Sequence, residues 1–425
     1  MTNYLHKVLP PQYSHVNKVY CLLAATVFCA LPLCSTEAAA ENILKYDGTT
    51  NIHGNAKTWA AKNEYDGIDI RVTGVDGGYY TDTTEALVLN NQTLNVKGKG
   101  KFVSIINTAQ NKQIDNNGGI YAKGGSTVNF TDVDSIYIAA IAGKEGGNDS
   151  TVISAKDPGR DFKGYTNIVN ISGNTVQLIG SIDVMHSLGS VFFNRNARHT
   201  VNAALSGSDS FWYGSAIGET DERTTVNLSL ADGATWIFNA GKSTLNAGGI
   251  IRNLKLDKGV VLFADAEVWE TYRKTVIKGT DYVLANYRDH NERYSQVEIR
   301  SLTGPGGIFK MDLDWQSNNG ERQYTEKSDF ITIGTAEDGS HQIVEFDMGK
   351  AHLDEMKNGD KLYFASVESG NTTFSTNADG EVNRADELYR FGLHTQSEED
   401  ETDQLTYWFL TKSIGSANEN VDFLT

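Results

Sequence analysis

Thr225-Val226-Asn227-Leu228-Ser229-Leu230 is the stretch whose reading decides the fold. Val226, Leu228 and Leu230 fall on one side and Thr225, Asn227 and Ser229 on the other, the period-two pattern of a strand with one dry face and one wet face. The pattern recurs upstream at Thr93-Leu94-Asn95-Val96-Lys97, Thr127-Val128-Asn129-Phe130-Thr131, Ile168-Val169-Asn170-Ile171-Ser172 and Thr200-Val201-Asn202-Ala203-Ala204, and more weakly downstream at Arg252-Asn253-Leu254-Lys255-Leu256. From asparagine to asparagine the intervals are 34, 41, 32, 25 and 26 residues. The shortest approach a bare coil, and the longer ones carry insertions such as Gly143–Gly164.

Each copy is followed by a second apolar strand: Phe102–Ile106, Ile136–Ile138, Val176–Ile179, Phe211–Tyr213, Trp236–Phe238 and Val260–Phe263. Turn formers separate the two, as in Lys97-Gly98-Lys99-Gly100, Ser172-Gly173-Asn174 and Ala231-Asp232-Gly233. The repeating unit is therefore strand, tight turn, strand, variable loop. Such a unit has too few strands to bury its own apolar face. Stacked copies bury a continuous core and let each strand pair in parallel with its equivalent one coil away. The expected fold is all-β, a parallel β-helix. An antiparallel sandwich is the competing architecture, but it lacks a motif recurring in register at one coil length. The asparagines read two ways. Asn129, Asn170 and Asn227 open Asn-x-Ser/Thr sequences, yet the Ser/Thr is simply the next outward position; stacked in register, the amides would form a side-chain ladder.

The first forty residues read as a secretory signal. An apolar run over Val19–Leu33 follows His15 and Lys18 and ends in Glu37-Ala38-Ala39-Ala40, which places cleavage after Ala40. A lipoprotein signal at Cys34 is disfavoured by the bulky Leu33 before it. All three cysteines (Cys21, Cys29, Cys34) lie in this segment, so the mature chain has none although it enters an oxidising compartment. A chain with a large core, or one that must stay unlinked during a later translocation step, would look like this. Behind the signal the prolines are Pro158 and Pro305, which suits long ladders that need every N–H. The net charge of −17 keeps an extended protein soluble and argues against a nucleic-acid partner.

Beyond Leu256 the period relaxes. Leu302-Thr303-Gly304-Pro305-Gly306-Gly307-Ile308-Phe309 is a glycine turn feeding a strand with Phe309, Met311 and Leu313 inward. Ser328-Asp329-Phe330-Ile331-Thr332-Ile333 and Ile343-Val344-Glu345-Phe346-Asp347 repeat the pattern around Gly339. Tyr282–Asn286, Gln296–Leu302, Lys361–Val367 and Gln404–Thr411 supply further strands, and Ala351–Lys357 has room for one or two helical turns. A stack needs its last coil covered, and a tryptophan-bearing module (Trp315, Trp408) meets that need.

In the order of its elements, this part resembles the junction region of autotransporter passenger domains, the pertactin-like surface proteins of Gram-negative bacteria. The matching segments are Leu302–Phe309, Ser328–Ile333, Gly339-Ser340-His341-Gln342-Ile343, Leu388-Tyr389-Arg390-Phe391-Gly392-Leu393 and Leu405-Thr406-Tyr407-Trp408-Phe409-Leu410. The resemblance implies a right-handed β-helix, a Sec signal, and export through an outer-membrane translocator β-barrel, which these 425 residues do not contain and which the same precursor or a separate partner would supply. It also implies that the junction is an autochaperone, with Gly304, Gly306, Gly307, Phe309, Asp329, Phe330, Ile331, Gly339, Tyr389 and Trp408 as structural positions. The expected organisation is signal peptide 1–40, passenger coils 41–301, capping and autochaperone module 302–412, and the start of a linker at 413–425.

No catalytic, cofactor or metal constellation is evident. Ser206-Gly207-Ser208-Asp209-Ser210 sits in a repeat turn without the context of a protease serine. His53, His186, His199, His290, His341, His352 and His394 are scattered singly. A β-helix polysaccharide lyase or hydrolase would need clustered carboxylates on one outward face. Asp132/Asp134 and Asp312/Asp314 are pairs that alternation alone puts on the solvent side, and Glu398-Glu399-Asp400-Glu401-Thr402-Asp403 reads as a solvated hairpin tip rather than a calcium site. Trp212, Tyr213 and Trp236 are either core or a docking surface for a glycan or host protein. The expected function is a non-enzymatic, adhesin-like passenger at the surface of a Gram-negative cell or released from it, binding a host or bacterial surface ligand.

Overall fold

The computed structural model describes residues 42–51, 62–75, 84–109, 117–141, 151–156, 164–184, 197–217, 222–238, 249–263, 294–318, 320–322, 328–379 and 389–417. The expectations at Ala40 and at 282–286 lie outside the described residues.

The chain is a parallel β-helix. Strand β1 (Ile43–Asn51) lies beside β2 (Gly67–Val75), and the coils continue through β3 (Thr84–Asn90), β4 (Thr93–Lys97), β5 (Phe102–Ala109), β6 (Asn117–Lys123), β7 (Thr127–Ile141), β8 (Thr151–Ala155) and β9 (Thr166–Ile179). They run on through β10 (Ser181–Asp183), β11 (Arg198–Ser206), β12 (Phe211–Gly214), β13 (Ala216–Ile217), β14 (Thr224–Ala231), β15 (Thr235–Phe238), β16 (Gly249–Phe263) and β17 (Gln296–Lys310). The last coils hold β18 (Phe330–Ala336), β19 (His341–Glu345), β20 (Lys361–Ser369) and β21 (Thr373–Thr376), and β22 (Tyr389–Asp400) and β23 (Leu405–Ala417) close the order. One helical turn, α1 (Trp315–Asn318), and a 3-10 turn at Leu353–Glu355 interrupt the strands, the latter inside the segment where sequence allowed helix.

The two strands read from each repeat form two of the faces. In some coils they fuse into one long strand bent at the corner: β7 pairs with β4 over Thr127–Thr131 and with β5 over Ser135–Ile141. A third face was not legible as a strand. Strands β3, β6, β8, β10 and β13 form a separate five-stranded parallel sheet built from what the repeat reading took as variable loops. The Gly143–Gly164 insertion contains one of its members, β8. These strands are short, and burial on nearly every position removes the alternation that marks the other two faces, as the Thr151–Ala155 pattern shows.

In-register pairing stacks like on like. The inward column of one face runs Val96, Phe130, Ile171, Ala203, Leu228, Leu254, Leu302, Ala336. That of the next runs Ile70, Ile105, Ile138, Leu178, Trp212, Trp236, Val261, Phe309, Val344. Both columns belong to a single buried cluster extending from the first coils to Leu410. Trp212 and Trp236 are fully buried in it, with rings stacked at 5.2 Å and 6° and indole N–H groups donating to the carbonyls of Gly180 and Gly214 at 2.9 and 3.0 Å. They are core, and with the buried Tyr213 they cannot be the aromatic docking surface that was the other reading of this stretch.

Parallel pairing continues on both sides of Leu302, with register shifts at the glycine corner: β16 pairs with β17 from Gly249/Val297 to Leu262/Lys310, and β17 in turn pairs with β18 and β19. The pairing sense changes at β23, which runs antiparallel to both β20 and β22. Ser413–Ala417, placed in the linker by sequence, continue β23.

Candidate functional site: the closed end of the stack

The ten positions singled out in the sequence are spread over the last coils and the hairpin, and take different tasks there. Gly304, Gly306 and Gly307 form the corner of β17. At Gly304 (φ 93) a Cβ would sit 2.3 Å from the Leu256 carbonyl oxygen, and at Gly306 (φ 137) 1.7 Å from that of His341. Positive φ and crowding by neighbouring coils both demand glycine. The amide of Gly304 donates to Glu337 at 2.6 Å and that of Gly307 to the buried Gln342 at 3.0 Å, so the corner is tied to the next coil. Gly339 needs its positive φ (79) but has open space around it.

Phe309 is fully buried in the inward column. Asp329 is buried with 1% exposure, and its carboxylate accepts the Ser295 amide at 2.6 Å and the Asp312 amide at 2.7 Å. A buried carboxylate is stabilised by such charge-assisted bonds. Ile331 points into the core; Phe330 does not. Sequence alternation groups Phe330 with the core-forming pattern. The structure turns it outward, where Tyr363, Tyr407 and Phe409 bury it in a second apolar cluster beneath the hairpin. Strand β23 thus has two dry sides, Tyr407 and Phe409 on this cluster and Leu410 on the main core. Trp408 packs on the main core, 5.3 Å from Phe374, which lies edge-on to Phe364 at 5.7 Å. Trp408 thus lies against the rings of the last coil. Tyr389 pairs with Ala417 at the far end of the hairpin.

A charged clasp, unseen in the sequence reading, rims the second cluster. Arg322 pairs with Asp400 and, at 3.1 Å, with Glu398; Lys361 also pairs with Glu398, and the Tyr363 hydroxyl donates to Glu398 at 2.5 Å. The Arg322 guanidinium lies 5.9 Å from the Tyr363 and Tyr407 ring centres, and Lys361 lies 4.7 Å from that of Phe409. Burial, reinforced by the Glu398 hydrogen bond, pushes the Tyr363 phenol up to about 12. Burial opposes ionisation of Glu398, but the bonds from Lys361 and Tyr363 outweigh it and hold the carboxyl below its ordinary range. The Thr402 amide, helped by Arg322, lowers Asp400 likewise. The acidic run is a hairpin tip, as its sequence indicated. It is only partly solvated: Glu398 and Asp400 face cations, and Asp403 accepts the Tyr407 hydroxyl at 2.6 Å.

The outward asparagines form a ladder. Each amide nitrogen donates to the preceding carbonyl oxygen: Asn129 to Asn95 (2.9 Å), Asn170 to Asn129 (2.7 Å), Asn202 to Asn170 (2.7 Å), Asn227 to Asn202 (2.6 Å) and Asn253 to Asn227 (2.6 Å). The column continues in register as Ser301, Thr335 and Ser369, whose last two hydroxyls meet at 3.2 Å.

The remaining sequence candidates stand apart. The Ser210 hydroxyl is held inside its turn by the Ser206 carbonyl at 2.7 Å and the Val176 amide at 3.0 Å. Asp134 accepts the Gly100 amide at 3.0 Å across coils. Asp314 is buried rather than on the solvent side, bound to the Tyr294 hydroxyl at 2.7 Å and to His352 at 2.9 Å. His199 is buried beside Asn167, and His341 bridges Thr373 and Ser375. His53, His186 and His290 lie outside the described residues. Among the described residues no three His, Cys, Asp or Glu side chains gather as metal ligands would. No family model, no curated protein and no solved structure matches the chain.

Proposed function

We propose that this chain is the passenger of an autotransporter: a rod exported through a β-barrel partner to the cell surface of a Gram-negative bacterium, binding a surface ligand there rather than catalysing a reaction. The reading is carried by the asymmetry of the rod's ends. At the C-terminal end the antiparallel β22–β23 hairpin covers the last coil with Trp408, Leu410 and Leu393, whereas β1 at the other end has one partner, β2, among the described residues. Coils add to an existing edge more readily than they nucleate, so a covered, aromatic-packed end is where a chain emerging from a pore would begin to fold. The junction would then template the coils behind it. A cysteine-free mature sequence is compatible with threading an unlinked chain.

Two measurements test the two halves of the reading. Adherence of bacteria displaying the mature coils should exceed that of bacteria lacking them, on host cells, matrix or one another; equal adherence sinks the adhesin role, and turnover of a pectin-like or peptide substrate replaces it with an enzyme. Refolding of the mature chain, followed by pulse-labelled hydrogen exchange, should protect β20–β23 before β4–β9; the reverse order removes the templating role.

A further inference from the structure

The helical turn α1 and the 3-10 turn before β20 border a cleft of about 530 Å³ beside the charged clasp, lined by Trp315, Glu355, Lys357, Asp360, Lys361 and Tyr363. Its framework is fixed from several sides. The Trp315 amide donates to the Ala351 carbonyl at 2.9 Å, the Gln316 amide to the buried Asp314 carboxylate at 3.1 Å, and the Gly359 amide to the Lys412 carbonyl at 2.8 Å. Trp315 rests on the main core while remaining partly exposed. Gly320, in a left-handed conformation (φ 81), passes close to its six-membered ring: a Cβ there would lie 3.8 Å from Cη2. No side chain at that position shields the indole from the cleft.

The side chains that line the cleft include two acids, Glu355 and Asp360, and two bases, Lys357 and Lys361. The Asp360 carboxylate is oriented by the Lys357 amide at 2.7 Å, and Lys361 is held by Glu398. An indole surface ringed by paired donors and acceptors on a rigid base suits a ligand with apolar C–H faces and many hydroxyls. Preorganisation matters for such a ligand, because each hydroxyl exchanges one hydrogen bond for another at small net gain. The larger groove at the glycine corner, about 600 Å³, lacks this chemistry: Lys255, Thr303, Pro305, Glu337 and Asp338 line it with no aromatic ring, and Glu337 is already bound to the Gly304 amide.

We propose that this cleft is a saccharide subsite that takes a neutral sugar ring against Trp315, with Glu355, Lys357 and Asp360 bonding its hydroxyls. The inference rests on the binding reading above and gives it a place and a ligand class. The test uses the whole mature chain on an array of glucose-, galactose- and N-acetylglucosamine-terminated glycans beside sialylated and sulfated ones, followed by titration calorimetry with the best neutral oligosaccharide. Binding to neutral glycans is expected. The affinity should fall about tenfold or more in Trp315→Phe and in the Glu355→Ala/Lys357→Ala double variant. Glu355 and Lys357 are exposed, so the double variant should keep the wild-type melting temperature and circular dichroism. Three results overturn the subsite: no neutral glycan binds, acidic glycans bind better, or both variants bind as the parent does. Each leaves the adhesin reading to the adherence assay, which fails separately if displayed coils confer no attachment.

Discussion

Asp329 and Asp312 hold each other reciprocally: the Asp329 amide donates to the Asp312 carbonyl at 3.0 Å, and the Asp312 amide donates to the Asp329 carboxylate at 2.7 Å. The second carboxylate oxygen takes the Ser295 amide at 2.6 Å. One buried side chain therefore fastens the start of β18 to residues on both sides of β17.

Replacing Asp329 by alanine removes the acceptor of the buried Ser295 amide and of the partly buried Asp312 amide at once. Each lost charge-assisted bond costs roughly 1.5–3 kcal/mol, so Asp329→Ala should destabilise the closed end by about 3 kcal/mol or more, and Asp329→Asn by less because one acceptor survives. Thermal melting monitored by circular dichroism checks this. A parent-like melting curve for the alanine variant would show that the staple does not hold the coils together.

Phe309 and Phe330 look alike in sequence and should fail differently. Phe309→Ala opens a cavity in the inward column between Val261 and Val344, at about 3–5 kcal/mol, and should expose coils on both sides to protease. Phe330→Ala empties the cluster under the hairpin and should loosen β22–β23 first. Limited proteolysis separates them: early cuts at Glu401–Gln404 with intact coils are expected for Phe330→Ala alone. Identical fragment patterns from the two variants would contradict the separate clusters.

That contrast also shows what the sequence could carry. Alternation is a local signal, and it reveals the two strands of each repeat, their register through the asparagines, and the core columns. It failed where burial comes from chain far away. Phe330 is dry because β23 lies over it, and the third sheet is dry on nearly every position, so neither shows a period of two. The clasp joins Arg322 to Asp400 across 78 residues, a separation at which no spacing motif exists. The corner glycines were visible as a cluster, but why they must be glycine, the carbonyls of Leu256 and His341, lies in neighbouring coils.

The asparagine ladder predicts a position-dependent cost. Asn170 both donates to Asn129 and accepts from Asn202, whereas Asn253, on the last amide rung, donates to Asn227. At about 1 kcal/mol per hydrogen bond, Asn170→Ala should cost roughly twice as much as Asn253→Ala. Hydrogen exchange should show the loss as faster exchange of the β9 and β11 amides that flank Asn170. Equal effects at the two positions would mean that the ladder adds nothing beyond the backbone pairing.

The clasp gives the closed end a dependence on pH at both extremes. The Tyr363 phenol is raised from about 10 in an unfolded chain to about 12, so its contribution is complete below pH 10 and is lost as pH rises through 12. Glu398 is shifted the opposite way, below its ordinary value of about 4.3, so its contribution is present above that value and is lost as pH falls through the lowered one. Protection of the β22–β23 hairpin, read by hydrogen exchange or proteolysis, should therefore be flat near neutrality and fall at both ends. Tyr363→Phe removes the ionisable group while keeping the ring in its cluster, and should abolish the part of the alkaline fall that lies between pH 10 and 12. Glu398→Gln should weaken the hairpin at neutral pH and reduce the acid fall to the part that Asp400 contributes. An alkaline limb unchanged by Tyr363→Phe would show that the phenol does not control the clasp, and that Arg322 and Lys361 hold the hairpin through Glu398 and Asp400 alone.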